Sequence, residues 1–219
     1  MVLLSAENGS RAAKPVPLLV KSGKQGVKCY VEATNAGKTN IIKYNSNQKK
    51  YFRAKVFKYD NIKAIVSGIP NLRDRALIAF LYGTGAREVE ATTFRKDDLQ
   101  IQRDVILPEI ITAKHRKHPT RITPIYRKKE SWITEPIIEW HGICRDEMLF
   151  GISTRQIRKI GRKYLNSRTH SLRHSRATHL ITMFNFGIFE LRFFMGWSST
   201  EPAEVYVHLD WRSYAKKLG

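Results

Sequence analysis

The spacing of apolar residues divides the chain into two parts. Residues 1–58 mix Gly, Asn, Ser, Thr and Lys with short β-forming runs such as Val27–Ala33 and Asn40–Tyr44. From Tyr59 onward, apolar residues recur mainly at helical spacing. We therefore predict a main domain of residues 59–219, preceded by a basic arm or small module of residues 1–58.

Helix start and stop residues mark the predicted helices. Asp60 is placed to cap a first helix, Asn71 to cap a second that Gly83 ends, and Arg87 begins a third. Ser153 is placed to cap a later helix with apolar residues on one side. Three further helices are predicted at Ser171–Phe184, Ile188–Met195 and Glu201–Leu209.

The pattern becomes β-forming between these helical regions. The segments Leu99–Ile101, Val105–Thr112 and Arg121–Ile125 read as strands, and the polar loop Ala113–Thr120 joins the last two. The predicted fold class is therefore α+β: a mostly helical domain with a small antiparallel three-stranded sheet.

The charge of the chain narrows its partners. Lys and Arg number 39 against 19 Asp and Glu, which gives a formal net charge of +20 on 219 residues. Such an excess favours binding to phosphate backbones. A hydrophobic fraction of 42% is enough to fill a packed core, which argues against a disordered basic tail. We expect a folded protein whose partner is double-stranded DNA.

Other features bear on compartment and cofactors. Cys29 and Cys144 lack a nearby Cys/His cluster, which favours a reducing, cytoplasmic setting over a disulfide framework or a zinc site. No apolar run approaches the roughly 20 residues that span a membrane. Ala36–Thr39 is similar to a P-loop, but Glu32 occupies the place of its first glycine, so we expect no bound nucleotide.

Basic residues in three places are predicted to contact DNA. One group interleaves with aromatic residues in the leading segment, one lies in the hairpin, and one crowds the polar face of the Ser153 helix, where no acidic partner is evident. The predicted DNA-contacting residues are Lys49, Lys50, Arg53, Lys117, Arg121, Arg155, Arg158, Arg162 and Lys163.

A set of residues suited to phosphoryl transfer lies near the C-terminal end of the sequence, with one upstream arginine. His170-Ser-Leu-Arg173 begins a helix, Gly196-Trp197 ends the next, Tyr206 follows, and Arg87 lies in Gly85–Glu90. Guanidinium, imidazole, indole N–H and phenol groups suffice to transfer a phosphodiester to a side chain without metal or nucleotide. This set points to DNA strand cutting and rejoining.

The order and spacing of these residues resemble the tyrosine recombinases, the integrase/Xer/Cre family. Tyr82–Glu90 resembles the box around the first catalytic arginine, and Thr169–Leu180 is similar to the second box. Met195–Ser199 and Ala203–His208 are similar to the next element and the nucleophile element. The resemblance runs from about Tyr59 to His208.

The resemblance implies a role for each residue. Tyr206 would attack the scissile phosphate and form a 3′-phosphotyrosine, while Arg87 and Arg173 would bind its non-bridging oxygens. His170 would hydrogen-bond to the phosphate and take the tyrosine proton. Trp197 stands where most members have histidine, so it can donate a hydrogen bond but cannot carry a proton.

The hairpin also resembles the family, in the element that holds the catalytic lysine. It is longer than the family pattern, so Lys114 and Lys117 both fit, and we select Lys114 as the acid that protonates the departing 5′ oxygen. Glu90, one turn after Arg87, is predicted to orient it through a salt bridge. His174 and His179 are predicted to be helix-packing residues.

The resulting hypothesis is a site-specific recombinase or integrase that acts on duplex DNA as a homotetramer, with a monomer as one state of the free protein and with no cofactor. A type IB-like topoisomerase and a catalytically inactive DNA-binding regulator of the same fold are the alternatives. Members usually have a helical domain of about 100 residues before the catalytic domain. Residues 1–58 are too short for it, so we expect a truncated chain or a minimal arm.

Overall fold

A computed structural model describes residues 56–113, 120–204 and 206. The helices of this part are α1 Tyr59–Ser67, α2 Leu72–Thr84, α3 Glu88–Thr92, α4 Ser131–Ile143, α5 Thr154–Leu165, α6 His170–Thr182, α7 Ile188–Met195 and α8 Glu201–Glu204. The strands are β1 Leu99–Ile101, β2 Val105–Ile111, β3 Thr120–Ile122 and β4 Ile125–Tyr126. The mostly helical α+β class is confirmed.

The ends of α1 and α2 follow local signals, with two corrections. The Asn71 side chain accepts the backbone N–H of Asp74 at 2.9 Å and begins α2 as predicted. Gly83 does not end the helix, because Gly85 is the residue that adopts the left-handed conformation, with φ of 62°. Asp60 lies in the first turn of α1 instead of capping it.

The sheet is built around β2. Ile106 of β2 lies opposite Ile101 of β1 on one edge and opposite Ile125 of β4 on the other, and all pairings are antiparallel. β3 pairs with β2 in the same register as β4. The third predicted strand is thus present but interrupted before β4 at Pro124, which has no N–H to donate to the sheet.

Helix α2 runs through the main core. Residues 76–84 are all buried, and the helix packs against α4 on one side and α6 on another. Helix α4 was not predicted from the sequence. Glu130 precedes it without a side-chain cap, and Pro136 lies inside it, so the usual start signal is missing and a helix-breaking residue is present. Within the described residues, no helix is long and apolar enough to cross a membrane.

Helix α6 is fixed in the core by polar contacts. Arg176 is wholly buried and forms a two-pronged ion pair with Glu130. His179 shares a hydrogen bond of 2.8 Å with the Tyr82 hydroxyl, so its predicted packing role is confirmed. Burial, reinforced by the charge of Arg176, lowers the pKa of His179 to about 4. The main core also includes Phe57, just before the predicted domain boundary.

A second apolar cluster joins α6, α7 and α8. Its buried members are Ala177, Leu180, Leu191, Phe194, Met195 and Ala203. Trp197 and Tyr206 pack at its border while remaining partly exposed. The C-terminal helices therefore bring these two aromatic residues to the surface of the domain beside the beginning of α6.

The Glu90 carboxylate joins elements that are distant in sequence. It accepts the guanidinium of Arg87 at 2.7 Å, the backbone N–H of Arg87 at 2.8 Å and the guanidinium of Arg121 at 2.8 Å. The backbone N–H of Ala113 donates to it at 3.4 Å. We call Glu90, Arg87 and Arg121 the Glu90 cluster. It links α3 to β3 and to the residues that directly follow β2.

Arg121 has a different place from the predicted one. Its side chain is only 6% exposed, and it donates to the Phe194 carbonyl at 3.1 Å, to Thr112 Oγ1 at 3.1 Å and to Glu90. The prediction that Arg121 contacts DNA is therefore corrected: its guanidinium is turned inward and connects β3 to the end of α7. A Cβ at Gly196 would lie 3.0 Å from this side chain.

The pKa of Glu90 shows how strongly the neighbouring arginines stabilise its ionised carboxylate. Burial by itself would raise this pKa, but the charge and hydrogen bond of Arg121, the Arg87 N–H and the charge of Arg173 lower it to about 2 from 4.5. A depressed pKa stabilises the fold at every pH above the unfolded value. That contribution is lost as the pH falls from about 4.5 towards 2.

We expect Glu90→Gln to destabilise the domain by about 3–5 kcal/mol at neutral pH, because two arginines lose a buried partner. The difference in unfolding free energy between wild type and variant should shrink between pH 5 and pH 2, measured by denaturant titration. Glu88→Gln on the same helix is the control. Its ion-pair partner Arg158 is 60% exposed, and the glutamine oxygen can still accept the Thr169 hydroxyl, so the cost should be about 0–1 kcal/mol. A Glu90→Gln difference that does not change with pH would contradict the assignment.

Candidate active site

The first turns of α6 place three polar residues on one side of the helix. His170, Arg173 and His174 follow the spacing at which helical side chains share a face. The rings of His170 and His174 meet edge to face, with centroids 4.5 Å apart. His170 is exposed, His174 is half-buried and Arg173 is buried. The surrounding protein and the charges of Arg173 and Arg87 lower the pKa of His170.

The Arg173 guanidinium lies between the ends of two helices. It donates to the carbonyl of Gly85, the residue that caps α2. It also donates to the carbonyl of Met195, the last residue of α7, at 2.6 Å. Both carbonyls belong to the negative ends of helix dipoles, which stabilise a buried cation. Burial, followed by the charges of Arg87 and Arg121, lowers the pKa of Arg173 to about 9. It remains charged at neutral pH.

Arg87 connects the Glu90 cluster to an open cavity. Its salt bridge with Glu90 was predicted and is confirmed, with its side chain 22% exposed. The cavity has a volume of about 590 Å³. Its basic lining residues are Arg87, Arg158, Arg162, Arg168 and His170. Arg87 and His170, which the sequence places far apart, thus face one cavity.

Tyr206 lies against two residues of this site. Its hydroxyl is hydrogen-bonded to Nδ1 of His174, and its ring is nearly parallel to that of Trp197, with centroids 5.9 Å apart. The Arg173 guanidinium lies over the Trp197 ring at 5.6 Å. Burial raises the pKa of Tyr206 to about 12, although the charge of Arg173 opposes the rise. The phenol is therefore protonated at neutral pH.

The role of His174 differs from the prediction. It was predicted to be a packing residue. That prediction is wrong, because its ring is hydrogen-bonded to the Tyr206 hydroxyl, the group whose proton His170 was expected to take. Burial and the neighbouring His170 and Arg173 lower the pKa of His174 to about 4, so the ring is neutral at pH 7. The sequence contained one signal for this placement: His174 is one helical turn after His170.

The basic face of α5 is exposed, as predicted. Arg155, Arg158, Arg162 and Lys163 all lie at the surface. The prediction that this face has no acidic partner is wrong for Arg158, whose Nε donates to Glu88 of α3 at 2.7 Å. Charge repulsion along α5 is therefore reduced at one position. The contact of the other cations of this face with DNA stays a prediction.

Five predicted residues lie outside the described part of the chain: Lys49, Lys50, Arg53, Lys114 and Lys117. Their roles stay predictions. Among residues 56–113, 120–204 and 206, no three His, Cys, Asp or Glu side chains form a group that could hold a metal ion. The adjacent imidazoles of α6 have arginines for neighbours, which repel a cation.

Similar sequences carry the name tyrosine recombinase. Tyrosine recombinase XerC of Proteus mirabilis is 24% identical over 161 residues, covering 67% of this chain and 50% of XerC. Tyrosine recombinase XerA of Pyrococcus horikoshii is 28% identical over 130 residues, covering 56% of this chain and 46% of XerA. The chain thus spans about half the length of the curated relatives it matches.

Solved structures agree in fold. XerH site-specific recombinase bound to its difH substrate, in a pre-cleavage complex, superposes with a TM-score of 0.61 at 17% identity, covering 80% of this chain and 59% of that chain. XerA recombinase gives 0.57 at 18% identity, with 74% and 61% covered. The sequence model of the phage integrase family matches residues 55–212. Because this match includes most of the chain, the protein belongs to the phage integrase family, the tyrosine recombinases.

Proposed function

We propose that this protein is a site-specific recombinase that cleaves and rejoins duplex DNA through a 3′-phosphotyrosine at Tyr206. The observation that carries the proposal is the position of the Tyr206 hydroxyl. It is hydrogen-bonded to His174, one residue after Arg173, and its ring stacks on Trp197. A phenol held beside a buried guanidinium has the two parts that a phosphoryl-transfer site requires, a nucleophile and a donor for the phosphate oxygens.

The balance of charge in the site supports an anionic substrate. Beyond burial, the charges of Arg87 and Arg121 lower the pKa of Arg173, and the Glu90 carboxylate attracts all three guanidinium groups. These four side chains carry more positive than negative charge, and Arg173 is held there by carbonyl dipoles instead of a second carboxylate. A phosphodiester would supply the missing negative charge, so its binding would lower the cost of keeping these cations together.

Each residue then has a defined task. Arg87 and Arg173 would bind the non-bridging oxygens, where charge increases in the transition state. His170 and the indole N–H of Trp197 would donate hydrogen bonds to the same phosphate. Lys114 would protonate the 5′ oxygen as it leaves. The phosphotyrosine would conserve the energy of the phosphodiester bond, so rejoining would need no ATP.

The relatives and solved neighbours support a DNA substrate. XerH was solved on its difH substrate, and the relatives are named recombinases. By this likeness we propose double-stranded DNA as the partner. The tetramer on DNA stays a prediction from the sequence resemblance. The exposed cations of α5 lie beside the cavity that contains Arg87 and His170, where the flanking backbone of a bound duplex would run.

Tyr206→Phe should abolish the covalent protein–DNA adduct and leave DNA affinity nearly unchanged, because one hydroxyl is removed from an interface dominated by charge. The adduct is measured with a nicked suicide substrate on a denaturing gel, and affinity by fluorescence anisotropy. Tyr126→Phe, at an exposed tyrosine of β4, is the control and should form adduct at the wild-type rate. Adduct formation by Tyr206→Phe would refute this nucleophile.

The choice between the hairpin lysines can be tested with a bridging 5′-phosphorothiolate, whose thiolate leaves without needing a proton. Lys114→Ala should cleave normal DNA roughly 10²–10⁴-fold more slowly and recover most of its rate on the sulfur substrate. Lys117→Ala should be mildly affected on both. The reverse pattern would assign the acid to Lys117, and rescue in neither variant would contradict an acid role for both lysines.

The α5 face should contribute to the salt dependence of DNA binding. Replacing Arg162 and Lys163 together with Gln should reduce the log–log slope of affinity against salt by about one for each DNA phosphate that these side chains neutralise in the wild type. Lys63→Gln with Lys128→Gln removes the same charge elsewhere and should change the slope less. Equal slopes for the two double variants would show that α5 is a solvated face.

A further inference from the structure

We propose that His174 is a further catalytic residue, which holds the Tyr206 hydroxyl and receives its proton when the oxygen attacks phosphorus. This inference rests on the proposed function, because it concerns the same nucleophile. It replaces the expected assignment of this task to His170, which would keep the task of binding the phosphate.

The geometry gives His174 direct access to the reacting oxygen. Its Nδ1 is hydrogen-bonded to the Tyr206 hydroxyl, and the parallel Trp197 ring restricts the other side of the phenol. His174 is fixed by α6, which is anchored in the core through Arg176 and Glu130. The helix that holds Arg173 therefore also holds the group nearest to the attacking oxygen, so nucleophile and phosphate binder share one rigid element.

The protonation states of the pair suit this task. The groups that face His174 are His170 and Arg173 on α6 and Tyr206 beyond α8, and the first two disfavour a charged ring. The ring is neutral at pH 7, so Nδ1 has a lone pair for the phenolic proton. A phosphodiester anion bound by Arg173 would offset the positive charge beside His174 and favour the imidazolium. Bound DNA would thus make His174 more basic at the moment when a base is needed.

The step balances without any further reactant. The Tyr206 Oη–P bond forms and the P–O5′ bond breaks, while the phenolic proton moves to His174 Nδ1. The leaving 5′ oxygen takes a proton from the separate acid proposed above, and a free 5′ hydroxyl results. In rejoining, the 5′ hydroxyl returns its proton to the separate acid, now deprotonated, as its oxygen attacks phosphorus. The Tyr206 Oη–P bond breaks, and the imidazolium of His174 returns its proton to the leaving phenolate.

Helix α6 offers a matched control for this pair. His179 shares a hydrogen bond with the Tyr82 hydroxyl at 2.8 Å, and its pKa is also about 4. This second pair lies in the main core, where Tyr82 is fully buried. A substitution at His179 therefore alters the same kind of histidine–tyrosine pair on the same helix without touching the attacking oxygen.

The test compares the wild-type protein with His174→Ala, His174→Asn and His179→Asn. An asparagine side chain can accept the tyrosine hydrogen bond but cannot take the proton. Formation of the covalent adduct is followed in single-turnover reactions on a suicide substrate, with and without added imidazole. DNA affinity and melting temperature are measured for every variant, so that a folding defect is separated from a defect in the chemistry.

We expect both His174 variants to form adduct roughly 10²–10⁴-fold more slowly than wild type at unchanged DNA affinity. Imidazole should restore part of the rate of His174→Ala, since it can occupy the vacated space and accept the proton. His179→Asn should lower the melting temperature and show no response to imidazole.

Three results would overturn the proposal: a wild-type rate in His174→Ala, a wild-type rate in His174→Asn, or a slow His174→Ala that imidazole does not accelerate. The second would mean that His174 only positions the phenol. Each leaves the proposed function intact as long as Tyr206→Phe forms no adduct. An adduct in Tyr206→Phe would instead refute the nucleophile itself.

Discussion

The buried carboxylate of Glu90 sets the frame of the site, because it is the negative charge around which three arginines gather. It binds Arg87 of the α3 N-terminus and Arg121 of β3 directly, and it acts on Arg173 of α6 electrostatically. These residues come from segments that are far apart in the chain. Without this carboxylate, mutual repulsion and burial would oppose bringing the guanidinium groups together. The low pKa of Glu90, about 2, reflects the stabilisation of its carboxylate by these arginines.

The same charges link the fold to the chemistry. Arg121 and Arg173 donate to the last carbonyls of α7, Phe194 and Met195, and so fix the turn that carries Trp197. Trp197 in turn stacks on Tyr206. The guanidinium groups that position Trp197 and Tyr206 are thus also the positive charges that would attract a phosphate. The stability of the domain and its affinity for an anion therefore depend on the same interactions.

The sequence predicted the parts of this protein that depend on local signals. The cap at Asn71, the bounds of α7, the strand segments and the Arg87–Glu90 salt bridge all follow from residues within a few positions of one another. Helix α4 was missed because its packing against α2 overrides an uncapped start and an internal proline. Arg121 and His174 were assigned wrong surroundings, since their partners Phe194 and Tyr206 are brought close only by tertiary structure.

The most direct test identifies the residue that becomes linked to DNA. The covalent adduct is trapped on a suicide substrate, and the DNA-linked peptide is mapped. The protein is digested, the peptide that retains nucleotides is isolated, and the modified residue is located by mass spectrometry. The account predicts a single 3′-phosphoryl link at Tyr206, the tyrosine that contacts His174 and Trp197. A link at another tyrosine, such as Tyr164 or Tyr126, or DNA cleavage without any protein-linked product, would contradict it.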